Sequence, residues 1–228
     1  MQKRIEAFLS LSKIFKANGY NLYLVGGTVR DFLLHKELTD LDVTTDATPS
    51  DIKSFFVGDA NYRFEEFGAV YIKHDGFRFD LTTLRKERSY LDFRHPGKIK
   101  FIKSTKVDYK RRDFTINGMY LDEKFRLIDH CGGKKDLDNK VIKTIGNPMV
   151  RLKEDPLRIL RAIRFALTLS FVLDEKLKKA IKKKVKLLSK INPDKIKQEL
   201  RKIPSCDEGI KTSLFNEFNI LYLLDMIK

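Results

Sequence analysis

Apolar residues near the N-terminus recur at helical spacing. Ile5, Phe8 and Phe15 fall on one face, and the pair Asn18-Gly19 that follows them is typical of a helix end. The pattern predicts a helix over residues 1–19. Its apolar runs are too short for a secretory signal, so we expect a structural helix and not a targeting segment.

Strand-like and helix-like patterns are mixed between residue 20 and about residue 145. The predicted elements are a strand at Tyr23–Val25, a helix at Thr28–Leu34, a strand at Leu38–Thr44 and a hairpin that joins Phe67–Lys73 to Phe77–Thr83. The polar stretch that follows, from Arg85 to Lys100, has no clear periodicity.

The strand pattern stops at Leu152, and the rest of the chain is predicted to be helical. A run of strands followed by a run of helices indicates an α+β fold, with a mixed or antiparallel sheet first and an all-helical part after it. We place the two domains at residues 1–143 and 144–228.

The net charge of the chain indicates which kinds of binding partner to expect. The chain has 46 Lys and Arg against 31 Asp and Glu, a formal net charge of +15. This surplus favours a polyanion, most often nucleic acid, and solubility in a lysine-rich proteome is the alternative. Two cysteines, Cys131 and Cys206, exclude a disulfide framework and favour the reducing cytoplasm. No apolar run reaches the roughly 18 residues of a membrane span, so no membrane partner is expected.

The segment Asp174–Ile191 concentrates this charge in eight lysines. Leu177, Ile181 and Leu188 recur at helical spacing and define an apolar face, so the lysines take the solvent side. Either they are simply solvated or they contact phosphates, and both interpretations stay open here.

Three aspartates could form a metal site. Side chains alternate across a strand, so Asp40 and Asp42 share one face, and Asp80 lies opposite the apolar Phe79 and Leu81 on the next strand. Neighbouring carboxylates repel unless a cation bridges them, and three acids on adjacent strands suit Mg²⁺-dependent phosphoryl or nucleotidyl transfer. The alternative is that these are ordinary exposed strand residues.

The turn Gly26-Gly27 follows a strand and opens a helix. Glycine lets the backbone approach a phosphate, and Arg30 in the first helical turn could reach a triphosphate. Thr28 and Asp31 also have the spacing of a capping box, which is a rival account of both.

Two further segments combine arginines with acids. In the first, Arg111–Gly118, Arg112 is a candidate phosphate or sugar ligand. In the second, Glu154–Phe165, an acidic stretch with Pro156 starts a helix whose Arg158, Arg161 and Arg164 lie among apolar residues. Capping by Asp155 and its pairing with Arg158 is the structural alternative. Between the two segments, Asp129, Gly132 and Gly133 are predicted to form a structural turn.

Together these segments resemble the class II tRNA nucleotidyltransferases, the CCA-adding enzymes, which share a family with bacterial poly(A) polymerases. The resemblance covers roughly residues 20 to 203. It is carried by five motifs in order, which are Leu24–Asp31 with Asp40-Leu41-Asp42, Arg111–Asn117, Asp129–Gly133, Glu154–Arg158 and Asp194–Leu200.

The resemblance implies a nucleotidyltransferase head, a helical neck and the template-independent addition of C, C and A to tRNA from CTP and ATP. Asp40 and Asp42 would hold Mg²⁺, with Asp80 as a third catalytic carboxylate. The nucleotide-binding residues would be Gly27, Arg30, Arg112, Asp155, Arg158, Arg161 and Arg164.

Hydrogen-bond chemistry supports the role of Asp155 and Arg158. Cytosine and adenine both present an amine beside an unprotonated ring nitrogen, and uracil and guanine present a carbonyl beside a ring N–H. A carboxylate accepts from the amine and a guanidinium donates to the nitrogen, so this pair would accept C and A without a template.

Two features depart from the family pattern. Lys195 stands where the fifth motif usually has arginine, and the chain ends at Lys228, with most of the helical body and tail expected to be missing. A homodimer, or a shorter substitute for the missing body, could supply the missing grip on tRNA, and both options stay open. The polar stretch Arg85–His95 resembles the family's flexible loop, which predicts addition of A as well as C. The alternatives are CC-only, A-only or poly(A) addition, or a silent RNA-binding remnant.

Overall fold

The structure, a computed structural model, describes residues 1–39, 41–90, 96–203 and 208–227. The chain divides into two compact units. The first unit comprises Met1–Arg88, Lys98–Arg112 and Ile116–Lys134, and the second unit comprises Ser89–Gly97, Asp113–Thr115 and Lys135–Lys228.

The first unit is built on a seven-stranded sheet. The strands up to residue 128 are β1 Leu22–Val25, β2 Leu41–Thr45, β3 Asp59–Phe64, β4 Ala69–His74, β5 Phe77–Thr83, β6 Arg85–Tyr90, β7 Pro96–Phe101, β8 Tyr120–Leu121 and β9 Leu127–Ile128. The helices are α1 Gln2–Ala17, α2 Gly26–Leu33, α3 Pro49–Phe55 and α4 Thr105–Asp108. The sheet has the strand order β3-β4-β5-β2-β1-β8-β9. The mixed sheet and the helices confirm the predicted α+β class.

The centre of this sheet combines parallel and antiparallel pairing. Strand β2 lies antiparallel to β1 and parallel to β5, and all other described pairs in the sheet are antiparallel. Val43 of β2 aligns with Leu81 of β5, and both are fully buried, as is Leu24 of β1. These apolar residues set the register, because a slip by one residue would turn them towards solvent.

Helices α1 and α2 cover the sheet through aromatic contacts. Phe125 lies 6.4 Å from Phe8 of α1 and stacks on Phe32 of α2 at 5.6 Å between ring centroids. The predicted N-terminal helix is confirmed, and Gly19 just beyond it takes a positive φ of 83°. Helix α2 is thereby fixed beside the start of the sheet.

Two expectations about strands need correction, and a third is confirmed. The polar stretch after Arg85 contains two strands, β6 and β7, that pair as a ribbon. Strand β3 was not predicted, because most of its residues are exposed and its pattern does not alternate. The predicted hairpin is present as β4 and β5, with Asp75 and Gly76 at positive φ in its turn.

The second unit is mainly helical. Its helices are α6 Pro148–Glu154, α7 Leu157–Leu169, α8 Glu175–Lys184, α9 Pro193–Leu200 and α10 Glu208–Glu217, and α5 Gly133–Asp138 leads into them. Two short strands, β10 Val141–Ile142 and β11 Val172–Leu173, pair in parallel, so strand structure does not end at residue 152 as expected. The core of the unit is formed along α7, where Ile159, Ala162 and Ile163 are fully buried.

The lysine-rich helix is shorter than predicted. Asp174 caps α8 by accepting from the N–H groups of Lys176 and Leu177, and the chain continues from Val185 to Lys190 as a 3₁₀ helix. Leu177, Ile181 and Leu188 are buried, as their spacing predicts.

Among the helices of the described ranges, none is long and apolar enough to cross a membrane.

Candidate active site

The carboxylate of Asp42 lies against the turn between β1 and α2. A β-carbon added to Gly26 would lie 3.2 Å from Oδ2 of Asp42, and one added to Gly27 would lie 3.8 Å from the same oxygen. Gly26 also has a φ of +66°, which disfavours any larger residue. The Gly-Gly pair therefore leaves the space that the acidic side chain occupies.

The side chain of Thr28 connects this turn to β2. Its hydroxyl oxygen accepts the backbone N–H of Asp42 at 2.9 Å, and α2 has no side-chain cap. The capping-box interpretation of Thr28 and Asp31 is therefore wrong. Thr28 instead ties the strand that carries the acid to the helix that follows the glycines.

Asp80 lies beside Asp42 in the sheet. The two residues are aligned partners on the parallel strands β2 and β5, so their side chains leave the same face of neighbouring strands about 4.8 Å apart. The Asp80 side chain is 43% exposed and pairs with Arg78 at 2.8 Å. Within the described residues no group of three or more His, Cys, Asp or Glu forms a metal cage. Asp40 lies outside the described residues.

The residues present fit a divalent cation. Two carboxylates share one face of the sheet, and the glycine turn lets that of Asp42 lie against the backbone. Oxygen ligands of this kind are those that Mg²⁺ takes in phosphoryl-transfer sites. Asp42 and Asp80 are thus the described residues that could hold it.

Arg30 is buried and held on three sides. Its Nε and Nη2 donate to the carboxylate of Asp31 at 2.9 and 2.7 Å, and its Nη1 donates to Oδ1 of Asn117 at 2.9 Å. Only 8% of Arg30 is exposed. The guanidinium is therefore oriented by the protein in advance of any ligand.

Arg112 belongs to a buried group of residues that we call the Asp108 cluster, made of Asp108, Arg111, Arg112 and Tyr120. The fully buried Asp108 carboxylate accepts from Arg111 Nε at 2.8 Å, from Tyr120 Oη at 2.8 Å and from Arg112 Nε at 3.1 Å. It also accepts the backbone N–H of Arg85 at 3.0 Å. One carboxylate thus joins Arg112 to the first residue of the β6–β7 ribbon.

Charge interactions inside the Asp108 cluster favour the ionised forms of Asp108 and Arg112. Burial alone would raise the pKa of Asp108, but the charges of Arg112 and Arg111 outweigh it and hold this pKa well below its usual range. Burial alone would lower the pKa of Arg112, but the charge of Asp108 outweighs this effect and raises that pKa. Burial also raises the pKa of Tyr120, so its hydroxyl stays a proton donor.

Asp129 has the structural role predicted for it. Its carboxylate accepts the backbone N–H groups of Cys131, Gly133 and Lys134 at 3.0 to 3.1 Å, and Gly132 takes a φ of +74° between them. Burial would raise the pKa of Asp129, but these backbone donors lower it.

In the second unit, Asp155 and Arg158 lie at the start of α7. Oδ1 of Asp155 accepts the N–H of Leu157 at 3.1 Å, which is a capping contact. Arg158 is 5% exposed, and its Nη1 donates to the carbonyl of Arg151 at 2.8 Å and to Oε2 of Glu154 at 3.3 Å. The contact of Asp155 with the first N–H of α7 is the one that the structural alternative predicts, and Arg158 also bonds to Glu154.

The other two arginines of α7 each meet a carboxylate of the second unit. Arg161 Nε donates to Oδ2 of Asp113 at 2.8 Å, and Arg164 Nε donates to Oε1 of the buried Glu199 at 2.5 Å. Burial would lower the pKa of Arg161, but the charge of Asp113 outweighs it and raises this pKa. Glu199 comes from the fifth motif, so α9 is joined to α7 by an ion pair.

The predicted site residues divide between the two units. Gly27, Arg30, Asp42, Asp80 and Arg112 belong to the first unit, and Asp155, Arg158, Arg161 and Arg164 belong to the second. Sequence reasoning did not assign the residues that hold them, which are Thr28, Asp108, Asn117, Tyr120, Glu154 and Glu199. The spacing of Asp108 to Arg111 and Arg112 on one helical turn could have identified the first ion pairs.

A comparison with protein families matches residues 22–143 to the poly A polymerase head domain. Among curated proteins, the chain is 42% identical over 207 residues to the CCA-adding enzyme of Bacillus pumilus, covering 88% of this chain and 52% of that protein. It is 45% identical over 193 residues to the CCA-adding enzyme of Limosilactobacillus reuteri, covering 85% and 47%. The chain thus spans about half the length of the curated relatives it matches.

Solved structures show the same similarity. The Bacillus stearothermophilus CCA-adding enzyme in complex with CTP matches with a TM-score of 0.86 and 31% identity, over 95% of this chain and 52% of that one. The Thermotoga maritima CCA-adding enzyme complexed with tRNA matches with a TM-score of 0.74 and 28% identity, over 96% and 52%.

The glycine turn yields a test with a matched control. Gly26→Ala and Gly76→Ala both place alanine at a positive φ, at a cost of about 1 kcal/mol each, but only Gly26 faces a carboxylate. We expect calorimetric titration to show about tenfold weaker Mn²⁺ binding in Gly26→Ala, equal to about 1.4 kcal/mol, and unchanged binding in Gly76→Ala. Equal affinity in the two variants would contradict the packing argument.

Removal of the buried charge should destabilise the protein in a pH-dependent way. We expect Asp108→Asn to lower the free energy of unfolding in urea by about 3 kcal/mol at pH 7, because Arg111 and Arg112 lose their buried partner.

The pKa of Asp108 is lowered in the folded state, so its contribution is complete above about pH 4 and is lost as the pH falls further. The difference between wild type and Asp108→Asn should therefore shrink in acid. The control Tyr120→Phe removes an uncharged hydroxyl that donates to Asp108 and accepts from Arg112, and it should cost about 1 kcal/mol for each hydrogen bond. A difference that stays constant with pH would count against the ion-pair explanation.

Proposed function

The chain belongs to the family of the poly A polymerase head domain, and from this we propose that it adds C, C and A to the 3′ end of tRNA from CTP and ATP. The supporting observation is the Asp42 carboxylate, which lies against a glycine turn and beside Asp80 on one face of the sheet. Its relatives in Bacillus pumilus and Limosilactobacillus reuteri are CCA-adding enzymes, which agrees with this proposal.

We assign the transfer chemistry to the first unit. Asp40 and Asp42 would hold Mg²⁺, with Asp80 as the third carboxylate, and bound Mg²⁺ would activate the attacking hydroxyl and neutralise the leaving pyrophosphate. Gly27 would allow the triphosphate close to the backbone. Arg30 would face it with a guanidinium already oriented by Asp31 and Asn117.

Arg112 would contact the nucleotide from within the Asp108 cluster. Its guanidinium is fixed by Asp108 and lies 5.1 Å from the ring of Tyr120, so little side-chain entropy would be lost on binding. The fixed orientation and the permanent charge are what binding of a phosphate or sugar oxygen requires.

We assign selection of the base to the second unit. Asp155 would accept from the exocyclic amine of cytosine or adenine, and Arg158 would donate to the ring nitrogen. The contacts of Arg158 with Arg151 and Glu154 hold the guanidinium in place. Uracil or guanine would leave buried donors and acceptors opposed, which costs about 1–3 kcal/mol for each unpaired group.

Arg161 and Arg164 would support this pocket. Asp113 holds the first and Glu199 holds the second, so both guanidinium groups have fixed directions.

Several expectations about the whole protein stay predictions. They are a head at residues 1–143, a helical neck at residues 144–228, a homodimer and a cytoplasmic location. The loop residues 91–95, which carry part of the predicted switch from C to A, lie outside the described residues.

A product assay tests the activity. The substrate is a tRNA that ends at the discriminator base, supplied with Mg²⁺ and CTP alone and then with CTP and ATP. We expect two C residues in the first reaction and the complete CCA in the second. Products that end at CC, a single A or a long A tract would identify the partial activities instead, and no incorporation at all would favour a silent RNA-binding protein.

Asp42→Asn separates catalysis from binding in this assay. The variant loses one carboxylate charge at the metal site, and we expect incorporation to fall at least about a thousandfold, equal to roughly 4 kcal/mol. Filter binding should show tRNA affinity within about twofold of wild type. Unchanged incorporation would remove Asp42 from the mechanism.

Asp155→Asn distinguishes base selection from helix capping. Asparagine caps a helix as well as aspartate does, but its amide can donate to the carbonyl of uracil. We therefore expect stability to be unchanged and the preference for CTP over UTP to fall by about tenfold or more in single-turnover assays. Lys153→Gln, an exposed neighbour, serves as the control. If Asp155→Asn keeps the wild-type preference, Asp155 is only a cap.

A further inference from the structure

A cleft of about 480 Å³ in the second unit is lined by lysines from two different elements. Lys143 comes from the segment that follows β10, and Lys176, Lys179 and Lys183 come from α8. All four are exposed, and between them lie the apolar surfaces of Met149 and Ala180.

The lysines of α8 fall into two groups with different partners. Lys178 pairs with Glu175 at 3.0 Å and Lys182 pairs with Glu217 at 3.2 Å, on the side of the helix away from the cleft. In the part of the chain that the structure describes, none of the four cleft lysines lies within ion-pair distance of a carboxylate.

The lining includes one acid, Asp174, whose Oδ2 accepts the backbone N–H groups of Lys176 and Leu177 as the cap of α8. Four lysines and one aspartate leave the lining with a net charge of +3. This positive charge lies on a concave surface, where the potential is stronger than on a flat one. The ligand chemistry that this arrangement favours is a polyanion.

We propose that this cleft binds the sugar–phosphate backbone of tRNA. The inference rests on the proposed function for the identity of the RNA. The cleft is open and its cations are ammonium groups on flexible stems, which bind successive phosphates as point charges and release counterions. A site for free phosphate would instead need arginine forks or buried donors to enclose the ion.

The experiment compares two double variants with the same change in charge. Lys179→Gln with Lys183→Gln removes two cleft lysines, and Lys178→Gln with Lys182→Gln removes two lysines that are paired with glutamates. The full chain of each is titrated with fluorescent tRNA by anisotropy between 50 and 200 mM KCl. Lys179, Lys182 and Lys183 are exposed, and Lys178 is half-buried in a surface ion pair. Surface ion pairs contribute at most about 1 kcal/mol, so both variants should unfold within a few degrees of wild type.

We expect the cleft variant to bind tRNA about tenfold more weakly at 50 mM KCl and to lose about one to two units from the slope of log affinity against log salt. The control should lose less than about half a unit. Addition of Lys143→Gln to the cleft variant should weaken binding further, because Lys143 lies on another element. Equal losses in the two double variants, or no effect of Lys143→Gln, would overturn the proposal.

Two further comparisons complete the test. The first distinguishes a site for free phosphate from a site for RNA phosphates, and the second distinguishes failure of the cleft proposal from failure of the proposed function. Inorganic phosphate added at the same ionic strength as KCl should displace tRNA no better than KCl does. Preferential displacement by phosphate from wild type, and not from the cleft variant, would indicate a free-phosphate site instead. If wild type binds tRNA through the cleft but incorporates no CTP, the cleft survives and the proposed function fails. If incorporation is normal and the cleft variant binds like the control, only the cleft proposal fails.

Discussion

The contact between the Asp42 carboxylate and the glycine turn is the constraint on which the candidate site depends. The acid can occupy its position only because Gly26 and Gly27 present no β-carbon, and because Gly26 can take a positive φ. The antiparallel pairing of β1 with β2 brings the turn and the acid together, and the Thr28 hydroxyl fixes the backbone of Asp42. The placement of the acid is therefore a property of the sheet register and not of a flexible loop.

Arginines predicted to bind nucleotide are each held by an acid or an amide of the same unit. Arg30 is held by Asp31 and Asn117, and Arg112 by Asp108. A buried cation without a partner would be costly, and a paired one is already desolvated and oriented when the ligand arrives. The acids interspersed among these arginines along the sequence would therefore orient the cations for the proposed nucleotide binding and not simply cancel their charge.

The regular elements could be predicted from the sequence where one face is buried. Helix α1 and the β4–β5 hairpin follow their periodicity, because their buried faces are apolar. Strands β3 and β6 are polar or largely exposed, so they lack the alternation of apolar residues that predicts a strand. They can be identified only from their pairing with a neighbouring strand. Likewise, the two acids Asp42 and Asp80 could be assigned to one face from alternation, but their alignment required the register of β2 on β5.

Net charge predicts the sign of a partner but not where it binds. The sequence alone does not distinguish one lysine of α8 from another. In the structure, Lys178 and Lys182 form ion pairs with glutamates. Lys179 and Lys183 instead line a cleft together with Lys143. A lysine that already has a carboxylate partner gains less from a phosphate, because one favourable contact replaces another. The lysines that would contribute most to the proposed RNA binding are therefore those without an ion-pair partner among the described residues, and the positions of Glu175 and Glu217 determine which ones they are.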